Sequence, residues 1–248
     1  MSRFYSVVWF GIFCLLLCGG QSSANAQSMN LQGEAIELDL PQPGKKWAVL
    51  YQGRPNQTLQ KLPASIKAVP LQGFLFQGPH QGHPFLLGEF ESKGKWNIIQ
   101  GGLQRATMQD ALLGLAEVED FQADIGLNAE GLGGWLIVLG WSNGHGYILY
   151  NVTLKESGSP WHVCEFRDAK AILETDREIQ RYVPTGNQSL QIEVKNQQLN
   201  VKLGNQVLAN RLEIENYSKG MLAIGTYDTR YQAKPLRLYG IRVRSLSE

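Results

Sequence analysis

Twenty residues near the C-terminal end, LQIEVKNQQLNVKLGNQVLA (residues 190–209), limit what this chain can fold into. Leu190, Ile192 and Val194 fall on one face of the first run, and Leu199, Val201 and Leu203 on one face of the next. A period of two belongs to strands with one buried and one wet face, and a helix cannot gather such positions into a stripe. KNQQ and GN separate the runs, so the segment reads as a meander of three antiparallel strands. LRLYGIRVRSL (residues 236–246) repeats the alternation, with Arg237, Arg242 and Arg244 read as solvated strand positions.

The same signals recur along the chain. Short runs rich in Val, Ile, Leu, Tyr and Phe alternate with Gly, Asn, Pro or Asp and predict about fifteen strands. They include residues 111–115, 121–127, 135–140, 147–154 and 162–166. The expected fold is all-β: one antiparallel two-sheet sandwich in a single domain over residues 27–248. Only DAKAILETDREIQRY (residues 168–182) has helical composition. Its apolar positions do not hold a helical period throughout, so helix and non-helix both stand open there.

Residues 1–26 read as a secretory signal peptide: Arg3, an apolar run over residues 7–18, then Ala24-Asn25-Ala26 before Gln27. A short membrane anchor is the other reading, but the run falls short of the roughly 20 apolar residues a span requires. Lipid attachment at Cys18 would need a smaller residue than Leu17 before it. The expected location is therefore outside the cytoplasm, periplasmic or extracellular. Cleavage leaves 222 of 248 residues, with 22 basic residues against 22 acidic ones once Arg3 is gone. That balance offers no electrostatic attraction to nucleic acid or to an anionic membrane. Cys164 alone survives cleavage, which excludes an intrachain disulfide and a thiolate metal site. His162 sits two residues away on the same side of a strand, yet a buried structural thiol is the better reading.

LGGWLIVLGWSNGHGYILYN (residues 132–151) is apolar enough to suggest a membrane segment, but WSNGHG in its middle is a polar, glycine-rich turn. It reads as two strands of a hairpin. Trp135, Ile137, Leu139 and Trp141 share one side of the first strand, with Leu136 and Val138 on the other. A strand apolar on both faces is covered on both, so it should be central in its sheet. Trp141, Ser142, Asn143, His145 and Tyr147 cluster where the hairpin leaves the sheet. A ring face beside amide and imidazole groups suits a sugar, by stacking and hydrogen bonding.

Further motifs share one likeness: KWNIIQGGLQR (residues 95–105), EDFQADIGLNAEGLGGWLIVLGW (119–141), GYILYNV (146–152), the meander above, and KGMLAIGTYDT with LRLYGIRV (219–229, 236–243). Together they resemble the concanavalin A-like, or laminin-G-like, jelly-roll superfamily, from about Lys95 to the end. Residues 27–94 match less well. Within the superfamily the chain looks nearest the bacterial 3-keto-disaccharide hydrolase-type domains. That resemblance implies an exported protein handling carbohydrate. GGWLIVLGW stands where those domains carry an asparagine-serine-glycine strand, which puts the hydrolase activity in doubt.

Retaining glycosidases need two carboxylates about 5–5.5 Å apart. AEVEDFQAD comes nearest, with Glu117 and Glu119 two apart, though both are expected in the connection before a strand starting at Asp120-Phe121. His80 and His83 in HQGH could be half of a metal site, and Asp228 in GTYDT could give a structural calcium an oxygen ligand. Otherwise no cofactor is expected. SPWHVCEFRD (residues 159–168) supplies a second polar face: alternation puts Trp161, Glu165 and Arg167 on one side, and His162, Cys164 and Phe166 on the other. Three functions remain open. A sugar-binding module would use Trp141, Asn143, His145, Tyr147, Trp161 and Arg167. A sugar hydrolase or lyase would use Glu165, Glu117 or Glu119 as acid/base. A non-catalytic envelope scaffold would have no small ligand. The lack of a paired-carboxylate motif favours the first over the second; the oligomeric state stays open.

Overall fold

The computed structural model describes residues 42–52, 67–69, 77–80, 83–86, 96–99, 102–105, 111–130, 135–151, 159–168, 170–226 and 236–247, some by backbone alone. The proposed signal peptide lies outside the described residues. The strands begin with β1 (Ala48–Gln52), β2 (Lys67–Val69), β3 (Gln77–His80), β4 (His83–Leu86), β5 (Trp96–Ile99) and β6 (Gly102–Arg105). They continue with β7 (Ala111–Val118), β8 (Phe121–Glu130), β9 (Trp135–Ser142), β10 (His145–Asn151), β11 (Pro160–Arg167) and β12 (Lys170–Ala171). The last are β13 (Arg177–Arg181), β14 (Thr185–Lys195), β15 (Gln198–Leu203), β16 (Gln206–Glu213), β17 (Gly220–Thr226) and β18 (Arg237–Ser245).

Two antiparallel sheets face each other. The first runs β16-β15-β14-β8-β18-β6-β5, with β1 also paired to β18. The second runs β12-β11-β10-β9-β17-β7-β2, with β13 also paired to β11. The chain passes from one sheet to the other at β1–β2, β6–β7, β7–β8, β8–β9, β13–β14, β16–β17 and β17–β18, so strands distant in sequence become neighbours. This is the two-sheet jelly-roll sandwich that the sequence predicts.

The predicted meander is β14-β15-β16, paired as Leu190↔Leu203, Ile192↔Val201 and Val194↔Leu199. Asn196 and Gln197, both at positive φ (50° and 59°), make the first two-residue turn, and Gly204 (φ 59°) opens the second. Such turns match the right-handed twist of the strands they join. Inward positions of the first sheet (Phe121, Ile125, Ile192, Val201, Ile241) interlock with Trp135, Ile137, Leu149 and Val163 from the second in one core.

The two sheets differ on their outer faces. In the first sheet those positions are mostly polar, with Val49 and Val207 exposed among them. In the second, Leu136, Val138, Ile148 and Phe166 lie opposite the core side and are still buried. As predicted, β9 is central and covered on both faces. The described residues of 168–182 contain no α-helix: β12, a 3-10 turn (Leu173–Thr175) and β13 stand there. Asp176, just after that turn, explains the choice. It accepts hydrogen bonds from the Tyr150 hydroxyl at 2.7 Å and meets His162 Nδ1 at 3.1 Å, both on the outer face of the second sheet. Tertiary anchoring of this kind overrides local helical composition.

One expectation about β9 fails for an instructive reason. Gly140 adopts φ +62° and the pairing slips there: Tyr147 faces Leu139, while His145 faces Ser142. The extra residue is a β-bulge, and it reverses the alternation. Trp141 is thereby turned away from the side of Trp135, Ile137 and Leu139 and meets Phe166, ring centroids 5.7 Å apart. Only glycine fits at the bulge. A Cβ on Gly140 would lie 2.6 Å from Tyr217 Cε2, and one on Gly220 would lie 2.5 Å from the Gly140 carbonyl carbon.

Candidate functional site

The sequence-predicted tip is only partly assembled. Asn143 and Gly144 form the β9–β10 turn with φ 49° and 79°, and His145 Nε2 stands 3.6 Å from Asp168 Oδ1 in the open. Trp141 is half-buried against Phe166. Tyr147 and Trp161 are correctly read as strand residues, but they are not surface groups. Tyr147 is 3% exposed and gives its hydroxyl to the Glu215 carbonyl; burial pushes its pKa far above that of a free phenol. Trp161 is fully buried beside Trp135, its ring N–H bonded to the Tyr182 carbonyl at 2.9 Å. The supposed polar face of β11 is the core side of the strand, where neither ring can stack on a ligand.

Glu165 shares that side and is buried at 4% exposure. Arg167 closes on it with Nε–Oε1 2.7 Å and Nη2–Oε2 3.1 Å, and this contact raises the pKa of the guanidinium further. The carboxylate of this pair is buried, while the Arg167 side chain is 48% exposed at the end of the strand. Glu117 lies within β7 rather than in the connection, 3.2 Å from Lys219 Nζ and bonded by Gln42. Glu119 lies in the exposed β7–β8 turn. Four strand intervals separate the β11 and β7 strands, about 19 Å, so Glu165 and Glu117 are not a catalytic pair. Cys164 is buried, and burial pushes its thiol up to about 12. Asp228 and the side chains of His80 and His83 lie outside the described residues, although β3 and β4 pair those two histidines in register. Among the described residues no group of three or more His, Cys, Asp or Glu gathers as a metal site, and no helix is long and apolar enough to cross a membrane.

The structure builds a different site on the outer face of the first sheet. Strand register sets outward side chains in rows across the strands. One row runs Arg244 (β18), Gln122 (β8), Glu193 (β14), Asn200 (β15). The next runs Arg242, Asp124, Gln191, Lys202, with Val207 of β16 at its end. Hydrogen bonds join the groups. Arg244 Nε donates to Gln122 Oε1 at 2.7 Å, the Gln122 amide donates to Glu193 Oε2, and Asn200 Nδ2 donates to Glu193 Oε1 at 3.2 Å. Asn200 in turn accepts the Arg211 backbone N–H at 2.8 Å, where Arg211 (φ 52°) sits in a region of irregular β15–β16 pairing. Asp124 receives Arg242 Nε at 2.9 Å on one oxygen and the Ser189 hydroxyl on the other.

Trp47 closes one end. β1 pairs Ala48 with Val243 and Val49 with Arg242, which carries Trp47 over the guanidinium groups of Arg242 and Arg244, 4.7 and 4.9 Å from the ring centroid. Two cations on the ring hold it in place, and 37% of the residue remains exposed. The groove so formed, about 390 Å³, runs from Trp47 to Val207 and Asn210. Arg242 and Arg244 stand on the outer face of β18, as the sequence reading has them, and there they also hold Trp47. The outward amides and carboxylates of FQADIGLN, LQIEVK and LNVKL were the available signal; the placement of Trp47 had none.

No family model matches the chain, and no curated protein matches it. Solved structures do. The carbohydrate binding module CBM66 from Bacillus subtilis aligns at 12% identity over 62% of this chain and 92% of that one, TM-score 0.46. The Emp46p carbohydrate recognition domain, in its potassium-bound form, aligns at 11% identity over 62% and 88%, TM-score 0.47. A legume lectin-like domain from Entamoeba histolytica aligns at 12% identity over 62% and 89%, TM-score 0.47.

Proposed function

We propose that this protein is an exported carbohydrate-binding β-sandwich whose ligand lies in the groove over the first sheet. The observation that carries the reading is the floor itself: amide, carboxylate and guanidinium groups pre-bonded to one another in rows, with a half-exposed indole at one end. Sugar hydroxyls need donors and acceptors in fixed positions, and a pyranose face needs an aromatic plane. The floor is already ordered, so little side-chain entropy is lost on binding.

Binding fits this floor better than hydrolysis. A glycosidase needs one carboxylic acid ready to give a proton and one carboxylate to act as nucleophile or base. Here both oxygens of Asp124 and both of Glu193 already accept from neighbouring donors. Each carboxylate is tied into the floor, and neither stands free opposite the other as an acid and nucleophile pair must.

The test is titration of the purified protein with a panel of neutral and acidic oligosaccharides and their keto-derivatives, read by intrinsic tryptophan fluorescence and calorimetry. Trp47→Ala should weaken binding about 5- to 10-fold, the value of one aromatic stack at about 1–1.5 kcal/mol, and Trp141→Ala should leave it unchanged. Binding lost in Trp141→Ala but kept in Trp47→Ala would return the site to the hairpin tip. No binding of any glycan would favour the interaction scaffold.

A further inference from the structure

Resting on that reading, we infer that the groove takes a linear glycan of about four units laid across the strands, and does not recognise a single sugar or a chain end. The shape of the site argues it. Strands in a sheet lie about 4.8 Å apart, so the five strands from β18 to β16 span about 19 Å, and Trp47 extends the floor beyond β18. Across that line the floor is two rows wide, and residues two apart on a strand are about 7 Å apart. A site nearly three times longer than wide is one pyranose in width, and the strand spacing is close to the length of one pyranose unit in a chain. Each strand thus offers one set of polar groups per sugar: Arg244, Gln122, Glu193 and Asn200 in turn.

Both ends carry exposed apolar surface. Trp47 is 37% exposed at one end and Val207 49% exposed at the other. Monosaccharide sites need polar groups converging on one point from several directions. Here the groups stand side by side on one sheet, and no residue that lines the groove comes from the second sheet. The charges suit a chain without a dense array of its own. Arg242 and Arg244 stand at the Trp47 end, Asp124 and Glu193 on the middle strands and Lys202 on β15, so cations and carboxylates succeed one another along the floor.

The experiment is calorimetric titration with size ladders of one to six units of cello-, xylo-, manno- and chito-oligosaccharides, against wild type and Asn200→Ala. Affinity for the recognised ladder should rise at least 10-fold from two units to four and then level off. Asn200→Ala should weaken four-unit ligands about 3- to 10-fold, the loss of one or two hydrogen bonds, and leave two-unit ligands held at the Trp47 end unchanged. A thermal melt of Asn200→Ala confirms that it folds. If one or two units bind as tightly as six, or if Asn200→Ala weakens all lengths equally, the elongated site is wrong while sugar binding stands. If nothing in any ladder binds, both readings fall.

Discussion

Replacing Gly140 by alanine separates two physical effects that the β9 bulge combines. The first is conformational. At φ +62° an L-residue costs about 1–2 kcal/mol relative to the right-handed region, and about 0.5–1 kcal/mol of that returns because alanine restricts the unfolded chain. The second is steric. The new Cβ would sit 2.6 Å from Tyr217 Cε2 and 3.0 Å from Cζ, with the Ser218 carbonyl closer still. Overpacking against such neighbours adds about 1–3 kcal/mol. Tyr217 cannot yield easily, because it is 8% exposed and its hydroxyl donates to the Glu119 carbonyl at 3.0 Å. Gly140→Ala should therefore destabilise by about 2–4 kcal/mol. Gly186 supplies the control: φ is +66° and nothing lies within 4 Å of a Cβ built there, so Gly186→Ala should lose only the net conformational part, about 0.5–1 kcal/mol. At about 2–4 °C per kcal/mol for a domain of this size, the melts should fall by about 4–15 °C and 1–4 °C respectively. Urea denaturation of both variants checks the energies. Equal losses in the two variants would refute the close packing of Tyr217 on the bulge.

Asp176→Ala removes the acceptor of two buried donors, Tyr150 Oη and His162 Nδ1. It should cost about 3 kcal/mol in urea denaturation; a loss below about 1 kcal/mol would show that the turn is held by something else. Cys164 gives an alkaline signature. Its thiol pKa rises on folding from 9.0 to about 12, mainly through burial. The unfolded chain therefore loses this proton first, and the stability it represents is complete below about pH 9 and declines between pH 9 and 12. Cys164→Ser should flatten that part of the stability–pH curve. In the native protein a thiol reagent at pH 8 should react only at the rate of unfolding, and immediate labelling would contradict the burial.

The β signature was legible because it is local. Alternation in residues 190–209 and 236–246 states which side chains go in and where the chain turns, whatever surrounds it. The continuous apolar run of β9 likewise announced a strand covered on both faces. Residues 168–182 were ambiguous for the converse reason: their local composition favours a helix, and Asp176 outweighs it only through partners on β10 and β11.

The candidate site divides the same way. Sequence alone determined that Gln122, Asp124, Gln191, Glu193, Asn200 and Arg242 lie on the wet faces of their strands, since each stands between two inward apolar residues, and Arg244 follows from the same alternation. It did not determine that these faces adjoin. That follows from β18 inserting beside β8, β14 pairing on its other side, and β1 bringing Trp47 from far along the chain onto the two arginines. Tertiary structure alone also decided which aromatics are available. One positive-φ glycine reversed the facing of Trp141, and the pairing of β11 with β10 placed Trp161 in the core. Alternation is a property of neighbouring peptide units, whereas exposure depends on which strand lies across, and only the folded sheet order supplies that.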